Sequence, residues 1–366
     1  MSRLTGYDVY DDVVSPEKRM KILNQKQHVT IKQVANLAGV SQMTVSRVVN
    51  KQGLVKETTR LKVQKAIDEL NYRPNLNARR LASGKALFIG LVYHNPSPGY
   101  LTKILVGGLS ACRENGHHLV LEDLGQHMPF EEPKKTAEAL ARTGLDGVIV
   151  TPPLSDVSEF VETLDQLGLP VIRIAARDIK TDKLHVSMDD EAAVTEIVNH
   201  IISYGHKDIA FIRGPENHPS THHRFAGYKC AMKDNGLDVV ADYIKGGDFT
   251  YKSGLDAALA LLNSSKPPTA IYASNDDMAA GAVTAAYMRG LTVPKDLSVA
   301  GFDDTEIATN IWPQLTTIRQ PISDMSARAV KLLAAQIHGE EDMKSLKAIL
   351  DFELIERDSI GSPRSL

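Results

Sequence analysis

The chain has 366 residues, of which 43% are hydrophobic and 24% charged, with a formal net charge of −3. That length suits two or three domains of an ordinary soluble protein. It contains no apolar run of 18 residues, which excludes a transmembrane helix, and residues 1–27 lack an apolar signal core. The mean charge hides an asymmetry. Residues 28–85 carry eleven Lys and Arg against three Asp and Glu, whereas residues 86–366 carry 26 against 38. A compact basic head on an acidic body fits a polyanion-binding module and fits a membrane surface poorly. Cys112 and Cys230 are the only cysteines, and neither has a partner at metal spacing. A reducing cytoplasm is the simplest expectation.

The first structured segment is VTIKQVANLAGVSQMTVSRVVN, residues 29–50. It reads as two short helices around a glycine-centred turn. Thr30 can cap the first helix, Val34, Ala35, Leu37 and Ala38 supply its apolar face, and Gly39 ends it. Ser41 can cap the second, where Val45, Val48 and Val49 recur at helical spacing. Gln42, Met43, Thr44, Ser46, Arg47 and Asn50 are left on the other side. Amide, hydroxyl and guanidinium groups are those that read base edges and hold phosphates, so this is a candidate recognition helix of a helix-turn-helix. An ordinary helical hairpin with a polar face has the same pattern.

A third helix is predicted over residues 57–71, with Val63, Ala66, Ile67 and Leu70 on one stripe. Then comes YRPNLNARRLASGK, residues 72–85, where Pro74 suits a first helical position. Residues 75–82 make only about two turns, too short to be stable undocked. Arg79 and Arg80 flank Leu81, the equipment of an element that kinks DNA from the minor groove. A plain basic linker is the alternative.

From Ala86 the pattern alternates strand and helix. A continuous apolar strand at 87–93 is of the buried parallel kind. HLVLEDL, GVIVTPP, PVIRIA, IAFIRG, TAIYASN and LSVAGFDD repeat it, with helices predicted at 101–115, 130–143, 157–167, 190–204, 224–235, 251–263, 277–289 and 322–337. This alternation implies α/β architecture, with parallel sheets covered on both faces. Ligands of open α/β sheets bind at the carboxyl ends of strands. Asn95 and Ser97 follow the first strand, Asp189 follows HVSM, and Ser220 and Arg224 lie at the end of RGPENHPSTHHR. Phe249 follows a Gly-Gly-Asp turn, Asn275 follows IYAS, and Asp303 follows VAGF. Arg donates in pairs, Asp accepts in pairs, Asn does one of each, and an aromatic ring can cover a sugar's C–H face. The acids at 276–277 and 303–304 could equally cap the helices that follow.

Other signals carry less. His218, His222 and His223 cluster without a tetrahedral set, so no metal is expected. No G-x-G-x-x-G, P-loop or G-x-S-x-G occurs. Neither a catalytic set nor a cofactor is expected, and the chain reads as a non-enzyme.

TIKQVANLAGVS, TVSRVVN, LNYRPNLNARRLASGK, SYGHKDIAFIRGP, RFAGYKCAM, SNDDMAAGA, VAGFDDTEIA and PQLTTIRQP together resemble the lactose-repressor (LacI/GalR) family of bacterial transcription regulators. The resemblance covers nearly the whole chain after residue 28. It implies a recognition helix in the major groove and paired hinge helices in the minor groove, with those roles for Gln42, Met43, Arg47 and Leu81. Thr30, Asn75 and Arg79 join the expected DNA-facing set. It also implies two doubly wound, periplasmic-binding-protein-like subdomains, joined by three crossings near 186–190, 316–320 and 346–350. Arg224, Asn275 and Asp303 fall where relatives hold their effector, and Phe249 where relatives place an aromatic platform.

The expected domains are a tail at 1–27, a helix-turn-helix domain at 28–73, a hinge helix and linker at 74–85, and an effector and dimerisation domain at 86–366. Within the last, one subdomain spans about 86–188 and 319–347, and the other about 189–318 and 348–366. Residues 1–27 precede the family's usual start, from which a mobile tail or an upstream start codon is expected; no heptad tail for tetramerisation follows residue 358. The resemblance implies a homodimeric, cytoplasmic repressor, associated with the nucleoid through double-stranded operator DNA and released by a sugar-type effector. NPSPGY looks like members linked to oligosaccharide or glucoside catabolism. A purine-type corepressor-dependent regulator, a solute-binding protein and a sugar-processing enzyme are the rival readings.

Overall fold

The computed structural model describes residues 30–49, 55–70, 86–94, 97–124, 131–176, 184–339 and 349–364. The chain divides into two compact units, Met1–Gly84 and Lys85–Leu366.

The first unit holds three helices, α1 (Ile31–Ala38), α2 (Gln42–Val49) and α3 (Glu57–Glu69). A capping box opens α1: the Thr30 hydroxyl accepts the Gln33 amide and the Gln33 side chain accepts the Thr30 amide at 2.7 Å. Gly39 closes α1 at φ 65°, a left-handed value that costs glycine little. Val34, Ala35, Val45, Val63 and Ala66 form the core. Leu37 differs from the sequence reading and is 47% exposed. The stripe is Ile31, Val34, Ala35 and Ala38, and Leu37 falls roughly 100° round the helix from its centre.

The second unit holds two six-stranded sheets. The first contains β1 (Phe88–Tyr93), β2 (His118–Asp123), β3 (Gly147–Val150), β4 (Val171–Ile174), β5 (His185–Met188) and β11 (Ile349–Leu350), all parallel, in the order β11-β5-β4-β3-β1-β2. The second contains β6 (Ile209–Arg213), β7 (Ile244–Gly246), β8 (Ala270–Ala273), β9 (Ser298–Phe302), β10 (Thr316–Arg319) and β12 (Glu353–Ile355), in the order β12-β10-β9-β8-β6-β7. Only β12 runs antiparallel, against β10.

Helices α4 (Pro98–Asn115) and α12 (Ile322–His338) cover one face of the first sheet, with α5 (Pro133–Ala141) and α6 (Ser158–Gln166) on the other. In the second sheet α7 (Asp190–Ser203) and α8 (Pro219–Asp234) cover one face. Helices α9 (Tyr251–Leu262) and α10 (Asp276–Met288) cover the other, and α11 (Glu306–Asn310) packs on α10. Burial on both faces explains the unbroken apolar strands: Ile89 and Leu91 point into one layer, Val92 into the other. Helices α4 and α12 meet so closely that a Cβ at Gly107 would lie 2.0 Å from the Ser323 carbonyl oxygen.

Two helices begin earlier than their sequence pattern suggests. Helix α4 starts at Pro98 rather than 101, and α8 at Pro219 rather than 224. Proline in the first turn has its φ preset and loses no helical hydrogen bond. HPSTHH is therefore mostly first turn, and Arg224 sits in the second.

The chain passes between the sheets after β5, after β10 and between β11 and β12. The last passage, at 351–352, lies later than the 346–350 read from the sequence. Ile349 and Leu350 still pair with Ser187 and Met188 of the first sheet. No helix among the described residues is long and apolar enough to cross a membrane.

Candidate functional site

On α2, Val45 is buried, while Gln42, Met43 and Arg47 are exposed, Met43 at 66%. A methionine left this open on a helix whose other face is packed is available to a partner. Thr44 and Ser46 are half-buried. The Ser41 hydroxyl accepts the Thr44 amide at 3.2 Å and lies 2.9 Å from the Thr44 hydroxyl, so it caps α2. Thr30 likewise serves the start of α1. Asn50, Asn75, Arg79 and Leu81 lie outside the described residues, as does Asn95.

In the second unit, the carboxyl ends of both sheets face one cavity. It is small, with room for about 30 Å³. Ser97, Ser220, Arg224, Phe249, Asn275 and Asp303 all line it. Asp189 does not. It is exposed and caps α7, accepting the Ala192 amide at 2.9 Å. Its neighbour Asp190, the first helical residue, turns into the cavity instead. Of two adjacent acids before a helix, the first is spent on the cap, a signal that was present in the sequence.

Arg224 organises the site. Its Nε donates to Asp190 Oδ1 at 2.8 Å, its Nη1 donates to the Ser274 carbonyl, and Nη1 lies 4.0 Å from Asp303 Oδ1. The guanidinium stacks 3.7 Å from the centre of the Phe302 ring. Burial opposes its charge, but the Asp190 and Asp303 carboxylates outweigh that and raise its pKa. Nη2 has no hydrogen-bond partner among the described residues.

Asp303 sits at φ 111°, in backbone that side chains seldom adopt. Its Oδ1 accepts from Gln320 Nε2 at 2.6 Å. Burial pushes its pKa up to about 7, against the pull of Arg224 and Gln320. Behind it, Asp276 is buried and takes Thr317 Oγ1 at 2.6 Å and the Thr305 amide at 2.7 Å. Burial raises its pKa well above the carboxylate range, and Asp303 adds to the rise.

Asn275 caps α10 through its Oδ1, which accepts the Met278 amide at 2.9 Å, and its Nδ2 donates to the Phe249 carbonyl at 2.9 Å. That bond holds Phe249 at φ 66°. Gly214 makes room for the ring, since a Cβ there would lie 2.3 Å from Phe249 Cζ. His218 meets the ring edge-on, centroids 5.0 Å apart at 75°. Tyr100, Pro152, Ala175, Asp190 and Gln320 line the cavity without having been singled out from sequence, and His218, read there only as one of a histidine cluster, lines it too. Gln320 follows a strand and so obeyed the rule that found the others.

A basic three-helix unit followed by two doubly wound halves around a polar cavity is a regulator's architecture. Residues 30–75 match the family model for bacterial regulatory proteins of the lacI family, and residues 198–360 that for a periplasmic binding protein-like domain. Catabolite control protein A of Priestia megaterium is 37% identical over 314 residues, spanning 86% of this chain and 94% of that protein. The chain belongs to the LacI family. It is a DNA-binding transcriptional repressor of that family. Among solved structures, the Lac repressor dimer bound to operator and the anti-inducer ONPF has a TM-score of 0.75 at 30% identity, covering 92% of this chain and 100% of that one. A CelR–cellobiose complex has 0.68 at 29%, covering 90% and 99%. LacI-family membership accounts for both units at once.

Proposed function

We propose that this LacI-family member is a homodimer that represses genes of carbohydrate catabolism and leaves its operator when a sugar-type effector binds between the two subdomains. The observation that carries the reading is the set around Arg224: its guanidinium, with Nη2 not engaged, the Asp303 acceptor and the Phe249 ring line one cavity. Vicinal hydroxyls need paired donors and acceptors, and the C–H face of a pyranose needs an apolar plate. The CelR–cellobiose complex supports a sugar, and the Lac repressor complex with the anti-inducer ONPF supports a small-molecule effector.

Gln42, Met43, Thr44, Ser46 and Arg47 read the operator, together with Asn50. Thr30 and Ser41 hold the helix ends that meet the backbone. Asn75, Arg79 and Leu81 act from the minor groove. Two heads on a near-palindromic site would sit about one helical turn apart.

Thermodynamic linkage tests the reading. Whatever factor the effector removes from operator affinity, the operator must remove from effector affinity. Calorimetric titration of a sugar that binds, with and without operator DNA, should show weaker binding with DNA present. Equal binding in both would reject effector-released repression. Tighter binding with DNA would mark a corepressor instead.

A further inference from the structure

The charge inventory of the cavity narrows the ligand class. Resting on the sugar reading above, we propose that the cleft selects an uncharged, hydroxyl-bearing ligand and rejects its phosphorylated or carboxylated counterparts. Arg224 is the only Lys or Arg among the described residues that line the cavity. Its charge is already matched: Asp190 lies 2.8 Å from Nε and Asp303 4.0 Å from Nη1. One guanidinium therefore faces two carboxyl groups.

Nearby groups leave the sum unfavourable to an anion. The Lys103 ammonium is turned toward the carbonyl oxygens of Asp303 and Asp304. His218 is held neutral, because burial and then Arg224 and His94 lower its pKa to about 4. Helix N-termini normally welcome anions. Here Ser97, Asp189 and Asn275 already accept first-turn amides of α4, α7 and α10, α10 opens with the acids Asp276 and Asp277, and α8, which has no side-chain cap, starts on Pro219, which has no N–H to offer. A phosphate would stand beside two carboxyls with no unmatched cation among the described residues to receive it, and charges buried that way are strongly disfavoured.

A hydroxyl meets no such obstacle. His218 is 3% exposed, and its Nδ1 has no hydrogen-bond partner among the described residues. A neutral imidazole offers one donor and one acceptor, and a hydroxyl can satisfy either tautomer, whereas an anion can only accept. Arg224 Nη2 and Asp303 then supply the donor and acceptor for a neighbouring hydroxyl.

The test titrates the full chain with glucose, galactose and cellobiose, and in parallel with glucose 6-phosphate, galactose 6-phosphate, cellobiose 6′-phosphate and glucuronate. Binding is expected only from neutral sugars, with at least about a hundredfold loss for the anionic counterpart of any binder. Asp303→Asn should narrow that gap by about tenfold or more, while Asp189→Asn, outside the cavity, leaves it unchanged. An anionic sugar that binds as tightly as its neutral parent overturns the charge rule and leaves the sugar reading standing. Saturable binding from neither half of the panel removes the sugar reading, and this inference with it. The wild-type comparison decides the matter even if Asp303→Asn does not fold.

Discussion

Ser97 Oγ donates to Asp277 Oδ2 at 2.7 Å, closing a hydrogen bond between residues 180 positions apart. Ser97 caps the first helix of one half and Asp277 lies in the first turn of α10 in the other. The bond thus crosses the cleft, as do those from Lys103 Nζ to the Asp303 and Asp304 carbonyls. Burial raises the pKa of Asp277, and the Ser97 bond works against that rise.

Ser97→Ala removes this cross-cleft bond and leaves the Asp277 carboxyl without its donor. A hydrogen bond to a charged group contributes about 1.5–3 kcal/mol, so effector affinity should fall roughly tenfold to 150-fold if the bond favours the apposed halves. Because Ser97 also caps α4, the midpoint of thermal unfolding without effector should fall by about 2–4 °C. Calorimetric titration beside a melting curve checks both, and unchanged effector affinity would show that the bond does not help hold the ligand.

Arg224→Ala leaves Asp190 and Asp303 buried without their cation. Breaking a buried ion pair in this way costs about 3–5 kcal/mol, which chemical denaturation can measure. Arg224→Lys keeps the charge and loses the fork and the stacking on Phe302. It should fold close to wild type, bind effector roughly tenfold to a few hundredfold more weakly, and still bind operator. Such a variant represses and is not induced.

The Asp303 carboxyl, raised to about 7, makes effector binding depend on pH. Burial drives that rise, Arg224 and Gln320 oppose it, Asp277 adds to it, and Lys103 opposes it. Asp276 stands behind as a further acid. An ordinary carboxyl ionises near 4, so between pH 4 and 7 the folded protein keeps a proton that the unfolded chain has lost. This group therefore lowers stability as pH rises through that window, and the loss levels off above 7. Ligand hydroxyls donate to the ionised form, so effector affinity should rise from pH 6 to 8 with proton release near 7. Calorimetry in buffers of different ionisation enthalpy reads the released proton, and Asp303→Asn should abolish it.

The head separates reading from folding. Replacing Gln42 and Met43 together should reorder operator preferences and leave effector affinity alone. Val45→Ala, at a fully buried position, should destabilise the head by about 1.5–3 kcal/mol and weaken all DNA sequences alike. Log operator affinity should fall steeply with log salt, since phosphate neutralisation releases counterions. Binding to a panel of operators at several salt concentrations distinguishes these outcomes.

The order of elements and the two-unit plan were legible in the chain because their signals are local. Thr30, Gly39 and the spacing of Val34, Ala35 and Val45 specify α1 and α2 within a few residues of one another, and the continuous strands follow from burial on both faces. The strand-end rule likewise led to Arg224, Phe249 and Asn275 as cavity-lining residues. Tertiary packing decided the rest. Which of Asp189 and Asp190 faces the cavity depends on which one the helix takes as its cap. The passage at 351–352 depends on Ile349 and Leu350 pairing with Ser187 and Met188, far away in sequence. The Ser97–Asp277 bond arises only when the two halves meet, and the Asp190 partner of Arg224 and the raised pKa of Asp303 arise only when segments distant in the chain pack together. Hydrogen bonds and desolvation act between neighbours in space, and a linear sequence specifies neighbours directly only along the chain.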